Sequence, residues 1–191
     1  MLANVIIFVL LAIGGGLGSA WYMIERGSRL TTRTVGPWIT WTAAGRPEAD
    51  PYTRAHFTRR GTLPITTALA YTYRANTDSE GQTLFSTCEY VIEGEEPRAA
   101  FWSLAAFDDK GRLIPNPAER HGFNSATLMR GPASKLDVIL ARSARPGNWL
   151  PTGGAGRIAL VFTVEEPRGP SGGMPGPGQV PMPTIRRVTC R

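Results

Sequence analysis

The sequence has few lysines, cysteines and histidines. Only two of its 21 basic residues are lysines, Lys110 and Lys135, and arginines supply the rest. The arginines stand singly apart from the pairs at 59–60 and 186–187, and no basic block is interleaved with aromatic residues. Nucleic-acid-binding proteins usually concentrate their positive charge on one face or along one element. The formal charge of +6 therefore predicts a solvated basic surface, and we expect no nucleic-acid partner.

Several motifs of catalysis and metal binding are also absent. No G-x-S-x-G nucleophile elbow occurs, and the glycine-rich segment 152–157 lacks the lysine of a phosphate-binding loop. The two histidines, His56 and His121, have no cysteine nearby, whereas a structural zinc ion needs four ligands and a catalytic one three. We therefore expect neither a metal ion nor a cofactor.

Charge is absent from Leu2 to Ile24, and this run is long enough to cross a hydrocarbon core of about 30 Å as a helix. We interpret residues 1–24 as a transmembrane anchor and residues 25–34 as a short tether. A cleaved secretory signal is the alternative, because Gly18 and Ala20 form a small-x-small site before Trp21. No positively charged segment precedes the apolar run, which favours the uncleaved anchor.

Two features give opposite predictions for the orientation of this segment. Arg26, Arg29 and Arg33 follow it, and the positive-inside rule then keeps the following domain in the cytoplasm. The cysteines Cys88 and Cys190 favour export, because an even pair without a CxxC motif is typical of a disulfide in an oxidising compartment. Two free thiols are the alternative. We predict the disulfide and an exported domain.

Residues 35–191 are rich in glycine and proline and contain several stretches with a period of two, which favours an all-β domain. We predict an antiparallel β-sandwich or jelly-roll-like domain with one short helix, preceded by the transmembrane helix. Residues 167–183 form a glycine- and proline-rich loop that we expect to be mobile. The predicted strands lie within residues 37–43, 68–75, 84–94, 98–116 (a hairpin), 135–143, 156–166 and 184–191.

The short helix is predicted at residues 50–61 from its end signals. Asp50 can cap the free N–H groups, Pro51 suits the first helical position, and Gly61 can adopt the left-handed conformation that ends a helix. We expect its packed side to comprise Tyr52, Ala55 and Phe57, with His56 and the pair at 59–60 mostly elsewhere.

The stretch ARPGNWLPTG (144–153) is punctuated by prolines and glycines, which predicts a rigid crossover between two strands. We expect Trp149 to be mostly buried at the end of the sandwich, with Asn148 bonded to backbone. Trp149 and the polar residues of two loops are nevertheless the best candidates for ligand contact, because arginine and asparagine offer fixed donors and tryptophan a stacking face. The candidate ligand-binding residues are Arg120, His121, Asn124, Asn148 and Trp149.

Three motifs in order resemble a known family. They are FWSLAAFDDKGRLIPNPAERHGFNS, then ARPGNWLPTGGAGRIALVF, then a closing IRRV. Over roughly residues 85–188 the chain is similar to the DUF1214 family, a domain of unknown function found behind a membrane segment in bacteria or in longer proteins. The resemblance implies an all-β sandwich and an envelope location, and it supplies no catalytic residues. His121 departs from the family pattern, which commonly has an aromatic residue there.

These observations predict a single-pass protein of the bacterial inner membrane with its β-sandwich in the periplasm, acting as a non-enzymatic binding or structural module. Its partners would be the membrane, through residues 2–24, and a glycan, a lipid headgroup or a protein. One alternative is a hydrolase of an envelope or imported substrate with its site around His121. Another is an accessory membrane subunit that pairs through the face formed by Gly14 and Gly18.

Overall fold

A computed structural model describes residues 1–130 and 135–190. The described chain contains two helices, α1 (Leu2–Arg26) and α2 (Pro51–Arg60). Its strands are β1 (Thr32–Val35), β2 (Trp38–Trp41), β3 (Ala70–Ala75), β4 (Cys88–Gly94), β5 (Phe101–Asp108), β6 (Gly122–Asn124), β7 (Leu136–Ala141), β8 (Trp149–Pro151), β9 (Ile158–Glu165) and β10 (Thr184–Cys190).

The strands form two sheets, which confirms the predicted sandwich-like fold. The larger sheet has the order β1-β2-β3-β9-β5-β6, and the smaller has the order β10-β4-β7-β8. Every pair is antiparallel except β7 and β8, which run parallel with Ile139 opposite Trp149. The predicted crossover at 144–153 therefore contains a short strand of its own.

The core lies between the two sheets and is built from alternate residues of their strands. In β5, every second residue from Trp102 to Asp108 is buried, which is the period of two expected when one face of a strand packs inward. Trp102 stacks on Phe162 of β9 with ring centroids 5.3 Å apart, and Trp38 meets the same ring edge-on at 5.8 Å. The smaller sheet contributes Tyr90, which is fully buried.

The predicted turn between residues 75 and 84 forms, but the strands on either side of it enter different sheets. Asp78 organises the turn, because its carboxylate accepts hydrogen bonds from the backbone of Glu80 and Gln82 at 3.1 and 2.8 Å. The chain enters the turn from β3, in the larger sheet. After the turn it passes the fully buried Leu84 and continues into β4, in the smaller sheet.

The loop at 167–183, which we call the strap, has three carbonyls that are hydrogen-bonded by buried aromatic side chains. Its mobility stays a prediction. Tyr71 and Tyr73 donate their hydroxyl hydrogens to the carbonyls of Pro175 and Pro177 at 2.9 and 2.5 Å. The indole N–H of Trp38 bonds the strap's last carbonyl, that of Pro183, at 2.7 Å. The many prolines and glycines of this loop are evident in the sequence. The hydrogen bonds that distant aromatic residues donate to its carbonyls could not be predicted from it.

The predicted disulfide joins the last strand to the smaller sheet. Cys88 and Cys190 are bonded and lie opposite each other in the register of β4 and β10. The bond therefore ties β10, which lies at the edge of the smaller sheet, to its neighbour β4.

Helix α1 projects from the domain, with residues 2–19 exposed along their whole length. It is long and apolar enough to cross a membrane, with a mean hydropathy of 2.1. Its last turn is partly covered by the domain, and α1 continues to Arg26, where the sequence predicted a tether at 25–34. A turn at 27–31 and the start of β1 occupy the rest of that segment.

Helix α2 begins and ends where its sequence signals predict. The Asp50 carboxylate accepts hydrogen bonds from the backbone of Tyr52 and Thr53, Pro51 is the first helical residue, and Gly61 has a φ of 62°. The predicted packed side is wrong, because the buried residues are Thr53 and His56 and Tyr52 is exposed. Helix α2 lies against the outer face of the larger sheet and the end of α1, so its buried side is set by both neighbours.

Candidate functional site

The structure brings together two of the five predicted ligand-binding residues. The guanidinium of Arg120 donates to the backbone carbonyl of Trp149 at 3.1 Å and lies over the ring of Phe123, 5.5 Å from its centroid. Trp149 is partly buried, and its indole N–H donates to the carbonyl of Ala141 at 2.9 Å. Both side chains therefore fasten the crossover to its surroundings.

His121 does not form the arrangement that a hydrolase would need. Its Nδ1 lies 3.1 Å from the carbonyl of Ile114 and 3.5 Å from the amide nitrogen of Asn116. Catalysis by a histidine of this kind requires a hydroxyl or thiol on one side and an orienting group on the other. Within the described chain, neither a hydroxyl nor a carboxylate bonds His121.

The two asparagines also bond backbone. Asn148 is buried, and its amide accepts from the N–H of Met129 at 2.9 Å while donating to the carbonyls of Met129 and Asp137 at 2.8 and 2.9 Å. This confirms the backbone bonding expected for Asn148. The Asn124 oxygen accepts from the N–H groups of Ala126 and Thr127, both at 2.9 Å. Ligand binding by any of the five residues stays a prediction.

A large cleft lies elsewhere, where α1, α2 and the outer face of the larger sheet meet. Its volume is about 840 Å³, within the range of small-molecule sites. We call it the junction cleft. It is lined by Trp21 and Glu25 of α1, by α2, by the segment after α2, and by outward-facing side chains of β2, β3 and β9.

Aromatic rings form one wall of the junction cleft. Trp41 of β2 lies 4.2 Å from His56 and 6.0 Å from Phe57, centroid to centroid, and the two α2 rings are 5.1 Å apart. Trp41 ends a strand whose Trp38 and Thr40 point inward, so the period of two turns its ring outward.

His56 joins this wall to the membrane-length helix. Its Nδ1 lies 2.6 Å from the carbonyl of Ile24, one of the last carbonyls of α1 that have no partner inside the helix. The neutral ring with its proton on Nδ1 can donate this bond. Burial lowers the pKa of His56, and the charges of Arg60 and Arg74 lower it further, against the raising effects of the Ile24 bond and Glu25.

The charged residues of the cleft are mostly cations. Arg26, Arg60 and Arg74 line it, and none of them makes an ion pair within residues 1–130 and 135–190. The lining carboxylate, Glu25, is paired with Arg59 outside the lining at 3.0 Å. The cleft therefore combines aromatic surface with positive charge that no ion pair between described residues neutralises.

A second cavity, of about 320 Å³, lies beside the disulfide. Arg145 donates to both carboxylate oxygens of Glu89 there, with a shortest contact of 2.6 Å. In the part of the chain that the structure describes, no three His, Cys, Asp or Glu side chains come together as metal ligands would.

Sequence reasoning missed the junction cleft because its parts come from separate elements. Arg60 and Arg74 belong to α2 and β3, and their meeting depends on how α2 packs. One signal was present in β2. Ile39 and Trp41 lie on the strand face opposite to the core residue Trp38, and both are apolar. Apolar residues on both faces of a strand indicate that both faces are covered.

Similarity to one solved structure supports the fold and leaves the activity open. The chain is similar to the VPA0106 protein from Vibrio parahaemolyticus, with a TM-score of 0.65 and 18% identity over 92% of this chain and 43% of that one. It thus spans less than half the length of that neighbour. A putative uncharacterised protein from Burkholderia cenocepacia is more distant, with a TM-score of 0.39 and 15% identity over 64% of this chain and 29% of that one.

No curated protein sequence matches the chain. The sequence profile described as "Protein of unknown function (DUF1214)" matches residues 69–169, which is more than half of the 191 residues and includes most of both sheets. This chain therefore belongs to the DUF1214 family.

Proposed function

We propose that this protein is a membrane-anchored, exported binding module that holds a small ligand in the junction cleft. The observation that carries the proposal is the position of the cleft. A cleft of about 840 Å³ lies at the point where the membrane-length helix joins the domain, with aromatic and cationic groups around it.

The anchoring and export parts of the proposal depend on α1 and the disulfide. The exposed residues 2–19 of α1 are uncharged and mostly apolar, and they need a non-aqueous environment or a partner. A disulfide between Cys88 and Cys190 favours an oxidising compartment, which for a protein of the bacterial inner membrane is the periplasm.

Binding is favoured over catalysis by the contacts inside the cleft. The bonded partner of His56 is a backbone carbonyl and its neighbours are rings, and the carboxylate of Glu25 is held by Arg59. No general base paired with a nucleophile is assembled among these residues. The contacts of His121 likewise give no support to a hydrolase.

Localisation is tested with a C-terminally tagged protein in cells. Protease added to spheroplasts, in which only the outer membrane is breached, is expected to remove the tag. Retention of the tag until the inner membrane is also broken would place the domain in the cytoplasm and reject export.

Ligand binding is tested on the full chain extracted in neutral detergent. Native mass spectrometry is expected to show a bound small molecule on the wild type. Thr72→Trp should abolish it, because Thr72 is an exposed cleft residue of β3 where an indole would fill the space. Thr163→Trp is the matched control, since Thr163 pairs with Thr72 on the same sheet face but does not line the cleft. A wild-type protein that carries no small molecule would contradict the binding function.

A further inference from the structure

The charges of the junction cleft indicate which ligands it accepts. Its charged lining comprises three arginines and one glutamate, and that glutamate is neutralised by Arg59. Unpaired arginines attract anions, and their planar guanidinium groups suit phosphate and carboxylate oxygens. The cleft is therefore complementary to a negatively charged ligand.

Arg74 is the group most in need of such a partner. It is partly buried on β3, and its Nε donates to the side chain of Asn76 at 3.1 Å, which leaves its terminal nitrogens without a bonded partner among the described residues. Burial and the nearby charge of Arg60 lower the pKa of Arg74. An anion between the two guanidinium groups would relieve this repulsion.

The rest of the lining is suited to an apolar chain. Trp41 and Phe57 form the aromatic wall, and the segment after α2 adds Leu63 and Ile65, which are 99% and 48% exposed. An apolar chain that covered Leu63 would gain the hydrophobic free energy of removing this side chain from water.

The cleft also lies beside the place where a membrane surface would be. Trp21 lines it and belongs to the end of α1 where interfacial aromatic residues concentrate in transmembrane helices. Lipids surrounding α1 would therefore be adjacent to Leu63, Arg26 and the opening of the cleft.

We propose that the ligand of the junction cleft is an anionic membrane lipid, with its phosphate on Arg60 and Arg74 and the start of an acyl chain along Trp41 and Leu63. This inference rests on the proposed binding function and specifies its ligand class. Charge selects the headgroup, and the apolar lining distinguishes a lipid from a free anion.

The experiment uses the full chain in nanodiscs made from equal amounts of phosphatidylglycerol and phosphatidylcholine. After mild release, native mass spectrometry measures the ratio of the two lipids that remain bound. Both lipids carry a phosphate, but the quaternary ammonium of phosphatidylcholine offsets its charge and is repelled by the arginines. The wild type is therefore expected to retain about tenfold more phosphatidylglycerol. The double variant Arg60→Gln, Arg74→Gln should bring the ratio close to one.

Arg54→Gln is the matched control. Arg54 lies on the same helix as Arg60 and the substitution removes the same charge, but Arg54 is outside the cleft lining and bonds the carbonyl of Pro47. It should keep the wild-type ratio. An equal loss of selectivity in Arg54→Gln would show general attraction to the domain surface and overturn the site.

The remaining outcomes separate this inference from the function beneath it. Retention of both lipids in equal amounts by the wild type would keep the binding function and reject selection by charge. Displacement of the lipid by millimolar inorganic phosphate would assign the arginines to a free anion and reject the lipid. If neither lipid remains bound, and the extracted protein also carries no small molecule, the binding function itself is rejected.

Discussion

Asn148 and Asn124 use their side-chain amides differently, and this gives a sharp test of what holds the 144–153 crossover. Asn148 needs both its oxygen and its NH2 group, whereas Asn124 uses its oxygen as an acceptor. Asn148→Asp would place a carboxylate against the carbonyls of Met129 and Asp137. We expect it to lower the free energy of unfolding by about 2–4 kcal/mol, measured by urea denaturation.

Asn124→Asp is the control for the same chemical change. An aspartate there keeps the oxygen that accepts from Ala126 and Thr127, and we expect a change within about 0.5 kcal/mol. Equal effects of the two substitutions would show that the buried amide of Asn148 is not what fixes the crossover.

His56 should make the stability of the domain depend on pH. Burial lowers its pKa in the folded protein, so below its ordinary value of 6.5 the unfolded chain binds a proton that the folded chain excludes. Stability is therefore kept above pH 6.5 and lost as the pH falls from there towards the folded pKa. Arg60 and Arg74 act in the same direction as burial, and Glu25 acts against it.

The measurement is the slope of unfolding free energy against pH between 7 and 5, for the wild type and for His56→Phe. The phenylalanine keeps a ring against Trp41 and removes the titrating group, so its slope should be smaller whatever its absolute stability. The same slope in both proteins would exclude His56 as the source.

Helix α2 shows how far sequence signals reach at the scale of one element. Asp50, Pro51 and Gly61 predict its ends correctly, because capping depends on residues next to each other in the chain. Its rotation could not be predicted in the same way. The helix has few apolar residues, and its buried side is set by α1 and β2, to which His56 bonds and stacks.

The strap is a second element whose stability lies in distant contacts. Tyr73→Phe removes the donor to Pro177 and leaves that carbonyl without this partner, so we expect a loss of about 1 kcal/mol and faster cleavage of residues 167–183 by proteases. Tyr52→Phe on α2 is the control, because Tyr52 is exposed and its hydroxyl makes no hydrogen bond to the strap among the described residues. Unchanged cleavage in Tyr73→Phe would mean that this bond does not hold the strap.

The sequence predicts a rigid crossover at 144–153, but it does not predict that part of this crossover pairs in parallel with β7. Proline and glycine spacing indicates where a strand stops, as at Gly147, whose φ is 82°. Which strand the three residues of β8 then join is decided by the backbone N–H of Ile139, which donates to the carbonyl of Asn148 at 2.8 Å.

At the scale of the whole molecule, the alternation of apolar and polar residues predicted the strands and the sandwich. It did not predict the order of the strands in the sheets. Residues 68–75 and 84–94 are close in sequence, yet β3 and β4 lie in different sheets. Alternation shows which face of a strand is buried, but it does not show which sheet the strand joins. The junction cleft is a product of that three-dimensional order. Its residues on α1, α2, β2 and β3 carry no motif in common.

The disulfide acts on the whole molecule, since it links residues 102 positions apart. Cys190→Ser is expected to lower the unfolding free energy by about 2–4 kcal/mol, chiefly because the unfolded chain gains freedom. Cys190 is the exposed partner, so the serine itself adds no burial cost. Reduction of the wild type should lower its stability by the same amount, and an unchanged unfolding midpoint after reduction would contradict this expectation.

The same bond also determines how the protein would carry a mechanical load applied between helix α1 and Cys190. Tension would pass directly from Cys88 to Cys190 and bypass the residues between them. Pulling the chain would extend only the part from the end of α1 to Cys88, a gain of roughly 200 Å at about 3.4 Å per residue. The chain between the two cysteines, which are 102 positions apart, forms a hidden length of roughly 350 Å that is released only after the bond is reduced.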